Sequence, residues 1–251
     1  MIRLESIEKS FGEHAVLKGI SAVFEAGKVN FIIGKSGEGK SVLARCMVGL
    51  EEIDKGGIFY DQSEFSSMNR WERKAVRKDI GMLFQGAALF DSMNVEENIQ
   101  FPMKMFTSMT KKERDIKTAE ILENVGLVGK NKLFPSELSG GMKKRTGLAR
   151  AIALNPKYLF VDEPNSGLDP VTSLIIDKLV REITDRNKIT TVVISHDMNS
   201  VIEIADAIFF ISKGEFVWSG DRNAILKANH PLLNDFVFAS QFMKEIREKF
   251  R

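Results

Sequence analysis

The sequence predicts an α/β fold built around a parallel sheet, and three observations carry that prediction. Short β-branched and aromatic runs at Val29–Ile33, residues 158–161 and Thr190–Ser195 read as buried strands bounded by glycine, lysine or polar residues. Helical patterns over residues 42–48 and 171–183 fall between them, and strands separated by helices imply parallel pairing through right-handed crossovers. A glycine-rich turn from Gly34 to Ser41, with the spacing G-x-x-x-x-G-K-S, joins the first of these strands to its helix.

The N-terminal stretch differs in kind. Residues 2–11, 17–24 and 57–60 read as short antiparallel strands, with turns at residues 11–14 and 25–27. Between a strand ending near Phe84 and one starting near Tyr158 the sequence predicts a mostly helical insertion, residues 86–155. Asn94-x-x-Glu97 and Thr110-x-x-Glu113 fit capping boxes that start helices there. With no internal repeat or low-complexity linker, residues 1–251 read as one domain with an inserted helical lobe and a helical tail over 229–251.

Composition bounds the function. The chain has 251 residues, 43% apolar and 28% charged, an ordinary globular balance that argues against extended disorder. Its 36 Lys and Arg against 34 Asp and Glu leave a net charge of +2, too little for a global field that holds nucleic acid. Cys46 is the one cysteine, which excludes an intrachain disulfide and a cysteine-rich metal site. No apolar run approaches the length of a membrane span, and the charged N-terminus has no signal-peptide stretch. These features lead to the expectation of a soluble, cytoplasmic protein. Locally, residues 104–150 hold eleven Lys and Arg against five Asp and Glu, which suits a solvated helix face or a surface near anionic lipid headgroups. Met93, Met103, Met105 and Met109 in the same region suit core gap-filling or an adaptable docking groove.

The turn Gly34-Lys35-Ser36-Gly37-Glu38-Gly39-Lys40-Ser41 matches the phosphate-loop motif, with the expected strand before it and helix after it, which weighs against a chance glycine-rich turn. Its glycines let successive backbone N–H groups converge on phosphate oxygens, and the helix N-terminus adds partial positive charge. Lys40 can reach the terminal phosphates of ATP, and the Ser41 hydroxyl is placed to ligate Mg²⁺. Val42 can offer only its backbone N–H, and Glu38 must point outward to spare the anion. This loop alone leaves kinases, GTPases and motor ATPases open.

Two further clusters narrow the choice. Asp162 and Glu163 close a buried strand at its C-terminal end, where α/β sheets bind ligands. Asp162 is suited to hold Mg²⁺ through water, and Glu163 to orient or deprotonate an attacking water. The run Leu138-Ser139-Gly140-Gly141-Met142 puts a hydroxyl and two glycine amides at a helix start, a second anion site on the same chain. One nucleotide cannot easily use both sites on one protomer. A head-to-tail dimer, in which each chain closes its partner's ATP, is the economical arrangement.

With these motifs in this order, nearly the whole chain resembles the ATP-binding subunits of ABC transporters. The resemblance implies an α/β P-loop NTPase of ABC type: a RecA-like core, an antiparallel β subdomain and an inserted α-helical subdomain. It marks Phe11 as the aromatic that stacks on adenine, where a core aromatic is the plainer reading of the residue. Gln85 resembles the loop glutamine that touches Mg²⁺ and the lytic water. The run Ser166-Gly167-Leu168-Asp169 resembles the segment that crosses to the partner chain, and His196 the residue that contacts the γ-phosphate. The implied catalytic set is therefore Glu163, His196 and Gln85, with Ser41, Gln85 and Asp162 at the metal. Phe11, residues 34–42 and, from the partner, Ser139, Gly140, Gly141 and Asp169 bind ATP.

Within the family, residues 81–98 and Met142 (where most transport ATPases carry Gln) resemble the ATPase of the maintenance-of-lipid-asymmetry system. That resemblance implies phospholipid transport, permease subunits, an MCE-domain lipid-binding protein and a place on the cytoplasmic face of the inner membrane. ATPases for amino-acid, metal or drug transport share all the ATP chemistry. Soluble ABC proteins of DNA repair or translation carry coiled-coil insertions or tandem units not seen here. Asn165 sits where many relatives have Thr.

The tail holds Leu232, Leu233, Phe236, Met243, Ile246 and Phe250 at spacings that fit one face of a helix, with Lys249 and Arg251 at its basic end. Such a stripe needs a surface, either the chain's own core or a partner ATPase.

Overall fold

Two sheets share the chain. The computed structural model describes residues 1–239 and 241–249, with the backbone alone at Gln241, Phe242, Ile246 and Lys249. β1 (Ile2–Phe11) and β2 (His14–Phe24) form a hairpin, followed by β3 (Val29–Ile33) and α1 (Lys40–Met47). β4 (Lys55–Tyr60), β5 (Ser63–Glu64), α2 (Arg70–Lys78) and β6 (Ile80–Leu83) come next. α3 (Val95–Phe106), α4 (Lys111–Asn124) and α5 (Gly140–Ile152) precede β7 (Tyr158–Asp162). The chain continues through α6 (Pro170–Asn187), β8 (Thr190–Ser195), α7 (Met198–Ile204), β9 (Ala207–Ser212) and β10 (Glu215–Gly220), then α8 (Arg222–Lys227), α9 (Pro231–Val237) and α10 (Gln241–Lys249).

The larger sheet runs β10-β9-β3-β8-β7-β6, parallel throughout except for β10 at one edge. The smaller, antiparallel sheet runs β2-β1-β4-β5. Successive side chains of a strand leave opposite faces, and the buried central strands divide accordingly. Phe31, Ile33, Leu159, Val161 and Val193 face a core built with α5, α6 and the inserted helices. Ile32, Phe160, Val192 and Ile194 face a second core shared with α1 and the antiparallel sheet. Asn30 is the polar exception on β3. Its buried Nδ2 donates to Thr191 O at 3.0 Å and Lys28 O at 3.1 Å, tying the turn before β3 to β8.

Both expected capping boxes form. Asn94 Oδ1 accepts from Glu97 N at 2.9 Å while Glu97 accepts from Asn94 N at 2.9 Å, and Thr110 and Glu113 do the same for α4. Four of the eleven cations of residues 104–150 turn inward to backbone carbonyls rather than lining a solvated face, Arg114 among them with Nη1 donating to Met109 O at 2.5 Å. Lys144 is buried, Arg145 donates to Gly126 O at 2.8 Å, and Arg150 donates to Ala87 O and Ala88 O at 2.9 and 2.8 Å. Met103 fills the core, whereas Met105 is exposed.

The tail packs on the chain's own core. It forms two short helices rather than one, because Phe238 closes α9 at φ −99° and ψ 29°, outside helical geometry. The break lets Leu233, Val237, Phe238 and Met243 all reach the core that holds Ile208 and Phe210, and Phe236 stacks on Phe210 at 5.5 Å between centroids. Ser240, Phe250 and Arg251, and the side chains of Ile246 and Lys249, lie outside the described residues.

Candidate functional site

The phosphate loop leaves β3 and enters α1 under tight steric limits. A Cβ at Gly34 would stand 2.4 Å from the Ile211 carbonyl oxygen, so only glycine lets the loop pass β9 at this distance. Gly39 starts α1 in left-handed geometry at φ +99°, again a glycine conformation. Lys40 folds back over the loop and is buried, with Nζ donating to Gly34 O at 2.8 Å and Lys35 O at 2.9 Å. Burial lowers the pKa of its ammonium, against the opposing pull of Glu163, Asp162 and Glu38. Glu38 turns away as expected, its carboxylate accepting from the Lys213 backbone N–H in the β9–β10 turn.

The carboxylates come from the end of β7. Ser41 Oγ donates to Asp162 Oδ1 at 3.4 Å. Burial and the neighbouring Glu163 raise the Asp162 pKa above the ordinary carboxylate value. Glu163 adopts φ +45°, a left-handed conformation that is uncommon and strained for a residue with a Cβ. Its N–H donates to Ile194 O at 2.9 Å, and its Oε1 lies 2.9 Å from His196 Nδ1. Gln85 Nε2 donates to Ser166 Oγ at 3.4 Å, which places the expected water-binding glutamine against the segment after Glu163.

These groups surround a cavity of about 410 Å³ lined by Phe11, Val16, Ser36, Gly37, Gly39, Lys40, Ser41, Val42, Gln85, Glu163 and His196. Phe11 is 45% exposed, which removes the core reading of that ring and leaves it on the cavity wall. The donor set fits Mg²⁺-bound ATP: a hydroxyl and a carboxylate supply hard oxygens beside a nest of glycine amides. Among the described residues no group of three or more His, Cys, Asp or Glu could hold a metal alone.

Ser139, Gly140, Gly141 and Asp169 do not line this cavity. Ser139 caps α5, its Oγ accepting from Met142 N at 3.3 Å. Asp169 caps α6, accepting from Thr172 N at 2.9 Å and Thr172 Oγ1 at 2.6 Å. Gly141 packs closely on α6, since a Cβ there would stand 2.4 Å from Thr172 Cγ2 and force that side chain to shift. The two helix starts thus abut each other on a surface separate from the chain's own phosphate loop.

Sequence reasoning missed the residues that hold the site together. Lys144 Nζ donates to the carbonyls of Gln85 and of Glu163, the latter at 2.9 Å, so one buried ammonium clamps both segments. Asn98 fixes the loop after Gln85, accepting from Phe90 N at 2.9 Å and donating to Met93 O at 2.9 Å. Asn165 acquires a role: its Nδ2 donates to Asp177 Oδ1 at 3.0 Å and Ser200 Oγ at 2.7 Å, joining the segment after Glu163 to α6 and α7. A lysine at an otherwise apolar helix position was the available signal for Lys144. For Asn165 and Asp177, the fold between them and Ser200 hid the contact.

A family model described as ABC transporter matches residues 17–166, more than half of the chain. This chain belongs to the ABC transporter family. The methionine import ATP-binding protein of Clostridium tetani is 43% identical over 84% of this chain and 66% of its own length. The corresponding protein of Campylobacter jejuni is 37% identical over 98% of this chain and 78% of its own. The probable ribonucleotide transport ATP-binding protein mkl of Mycobacterium leprae is 35% identical over 94% of this chain and 68% of its own. The chain thus spans about two thirds to four fifths of the length of these relatives. Among solved structures, the dimeric MJ0796, a bacterial ABC transporter cassette, aligns with a TM-score of 0.82 and 28% identity over 88% of this chain and 99% of that one. A post-hydrolysis state of the same cassette, bound to ADP and Pi, aligns equally well at a TM-score of 0.82. The fold is the α/β cassette of ABC ATPases, and the chain carries that ATPase cassette.

The raised Asp162 pKa generates a test of the metal assignment. A carboxyl that holds its proton more tightly when folded costs stability as pH rises from the ordinary Asp value of about 3.9 through its raised folded value. The penalty therefore weighs on the ligand-free chain above that range, and Mg²⁺ held at Asp162 would relieve it. Ligand-free Asp162→Asn should therefore melt above wild type at neutral pH, with the difference closing below about pH 4. The same variant should lose the rise in Tm that Mg-ATP gives wild type. Scanning fluorimetry across pH, with and without Mg-ATP, checks both.

Proposed function

We propose that this chain is the ATP-binding and ATP-hydrolysing subunit of an ABC transporter, and that its cargo is phospholipid. The observation that carries the enzymatic half is the cavity joining Lys40, Ser41, Gln85, Glu163 and His196. The loop amides and Lys40 bind the phosphates, and Phe11 with Val16 forms a flat apolar wall for adenine. Ser41 and Asp162, with Gln85, would hold Mg²⁺, which would neutralise charge on the phosphates. Glu163 takes a proton from water as the water oxygen attacks the terminal phosphorus and the bond to the bridging oxygen of ADP breaks. His196 holds the Glu163 carboxylate at 2.9 Å and stands where its imidazole can meet the terminal phosphate.

The second anion site belongs to the same reaction. Ser139 to Gly141 and Asp169 lie outside the chain's own cavity, and a second copy turned head to tail brings them to its partner's nucleotide. Among the described residues no helix is long and apolar enough to cross a membrane. In this reading coupling to transport takes separate permease subunits, as the transport ATPase relatives suggest, with this chain peripheral on the cytoplasmic face. The relatives carry methionine and ribonucleotide names on one shared cassette, so the phosphate site does not select cargo. The phospholipid reading rests on residues 81–98 and Met142, and brings with it an MCE-domain partner.

Glu163→Gln keeps the size of the side chain and removes its basicity. It should lower ATP hydrolysis by about 10²–10⁴-fold, the range for a lost general base, with nucleotide still bound. Lys40→Ala should instead weaken nucleotide binding. Steady-state hydrolysis and equilibrium binding of a labelled nucleotide separate the two. Hydrolysis by Glu163→Gln at the wild-type rate would remove Glu163 as the base. Cargo is tested by copurifying the chain with its membrane subunits and identifying bound small molecules by mass spectrometry. Phospholipid above the detergent background is the expected result; a bound amino acid without lipid would overturn it.

A further inference from the structure

α2 buries none of its nine residues. It is held from one side and capped at its start. Asn69 Oδ1 accepts from Trp71 N at 2.9 Å and Glu72 N at 3.1 Å, and Glu72 accepts from Asn69 N at 2.8 Å. Arg73 pairs with the Glu52 carboxylate and donates to Ser66 O at 2.8 Å, while Arg77 donates to Gly49 O at 2.6 Å. These contacts orient Arg73, Val76 and Arg77 inward.

The outer face is different. Arg70, Lys74 and Lys78 recur every four residues and so share one side of the helix, with Trp71 beside them. None of these three cations makes an ion pair or a side-chain hydrogen bond among the described residues. The nearby carboxylates are committed elsewhere: Glu72 to the cap, Glu52 to Arg73, and Asp79 to Lys157 at 2.8 Å. Trp71, at 78%, is the most exposed large apolar side chain among the described residues.

We propose that this face of α2 is a contact for an anionic lipid surface. Lys and Arg stems lie along apolar material while their charged ends meet headgroups, and an indole sits at the boundary between headgroups and acyl chains. Three uncommitted cations beside an exposed indole supply both parts of that recognition. The face is convex and one helix wide, which suits a surface rather than the groove that single-stranded nucleic acid needs. The inference assumes the proposed work at a bilayer, but its assay needs no ATP, so the two fail separately.

The full chain is sedimented with vesicles of phosphatidylcholine alone or of phosphatidylcholine with phosphatidylglycerol. Pelleting should require phosphatidylglycerol and weaken as salt is raised. The triple variant Arg70→Gln, Lys74→Gln, Lys78→Gln should lose partitioning by about fivefold per cation removed. Trp71→Ala should weaken it at unchanged charge. The exchange Arg70→Lys, Lys74→Arg, Lys78→Arg should retain it. The control Lys104→Gln, Lys112→Gln, Lys130→Gln removes the same charge from the inserted region, two from its helices and one from the loop after α4, and should bind as wild type, and circular dichroism and ATP hydrolysis should be unchanged in all variants. Wild type that ignores phosphatidylglycerol, or a triple variant that pellets like wild type, would overturn the proposal. So would loss confined to the control. If the α2 variant fails to copurify with membrane subunits yet pellets normally, the face serves an acidic protein surface and the lipid assignment is wrong.

Discussion

Across three parallel strands, Ile33 pairs with Ser195 and Asp162 with Ile194, so β3, β7 and β8 end at nearly one level. The candidate site residues sit immediately past those ends: Gly34 after β3, Glu163 after β7 and His196 after β8. Side chains alternate along a strand, so a slip of one residue in either pairing would exchange core and opposite-face residues throughout. The register is pinned by interdigitation of two cores, one on each face, and by Asn30, which locks β3 to β8 from its N-terminal side. Every distance at the site depends on that register.

The site that results is electrostatically incomplete by itself. Asp162 and Glu163 stand together at partly buried positions, and the Asp162 carboxyl is pushed toward its neutral form. Two buried ammonium groups answer them differently. Lys40 is held by loop carbonyls beside the phosphate nest, and Lys144 is held by the carbonyls of Gln85 and Glu163, a bracing position behind the cavity. Burial lowers the pKa of both. Strain at Glu163, with φ +45°, belongs to the same picture: the backbone is held in an unfavoured turn that aims the carboxylate at His196. Behind that pair, a cavity of about 530 Å³ extends to Phe236, Val237 and Met243, so the tail walls the site from the far side.

Local signals made much of this legible. The phosphate loop, the strand ending in Asp162 and Glu163, and the capping boxes at Asn94 and Thr110 are each set by a few adjacent residues, and each forms as the sequence predicts. The position of Phe11 needed the fold, because a hairpin end and a core both accept an aromatic. Lys144, Asn98 and the Asn165–Asp177–Ser200 bridge were hidden because their partners are backbone carbonyls or distant side chains, which leave no pattern in spacing. The tail was read as one helix because its apolar spacing runs from Leu232 to Phe250, whereas the chain leaves helical geometry at Phe238 and Met243 reaches the same core from α10. α2 carried a capping box too, at Asn69 and Glu72, but its lack of an apolar face hid it from a search for buried stripes.

The central claim is that one chain holds half of each working site and a second copy supplies Ser139 to Gly141. Sedimentation of the Glu163→Gln chain with and without Mg-ATP tests it most directly. The account predicts a particle of 28.2 kDa without nucleotide and one of twice that mass with it, and no doubling once Ser139→Arg is added. A mass that stays at 28.2 kDa with nucleotide bound, or a dimer indifferent to Ser139→Arg, would contradict it.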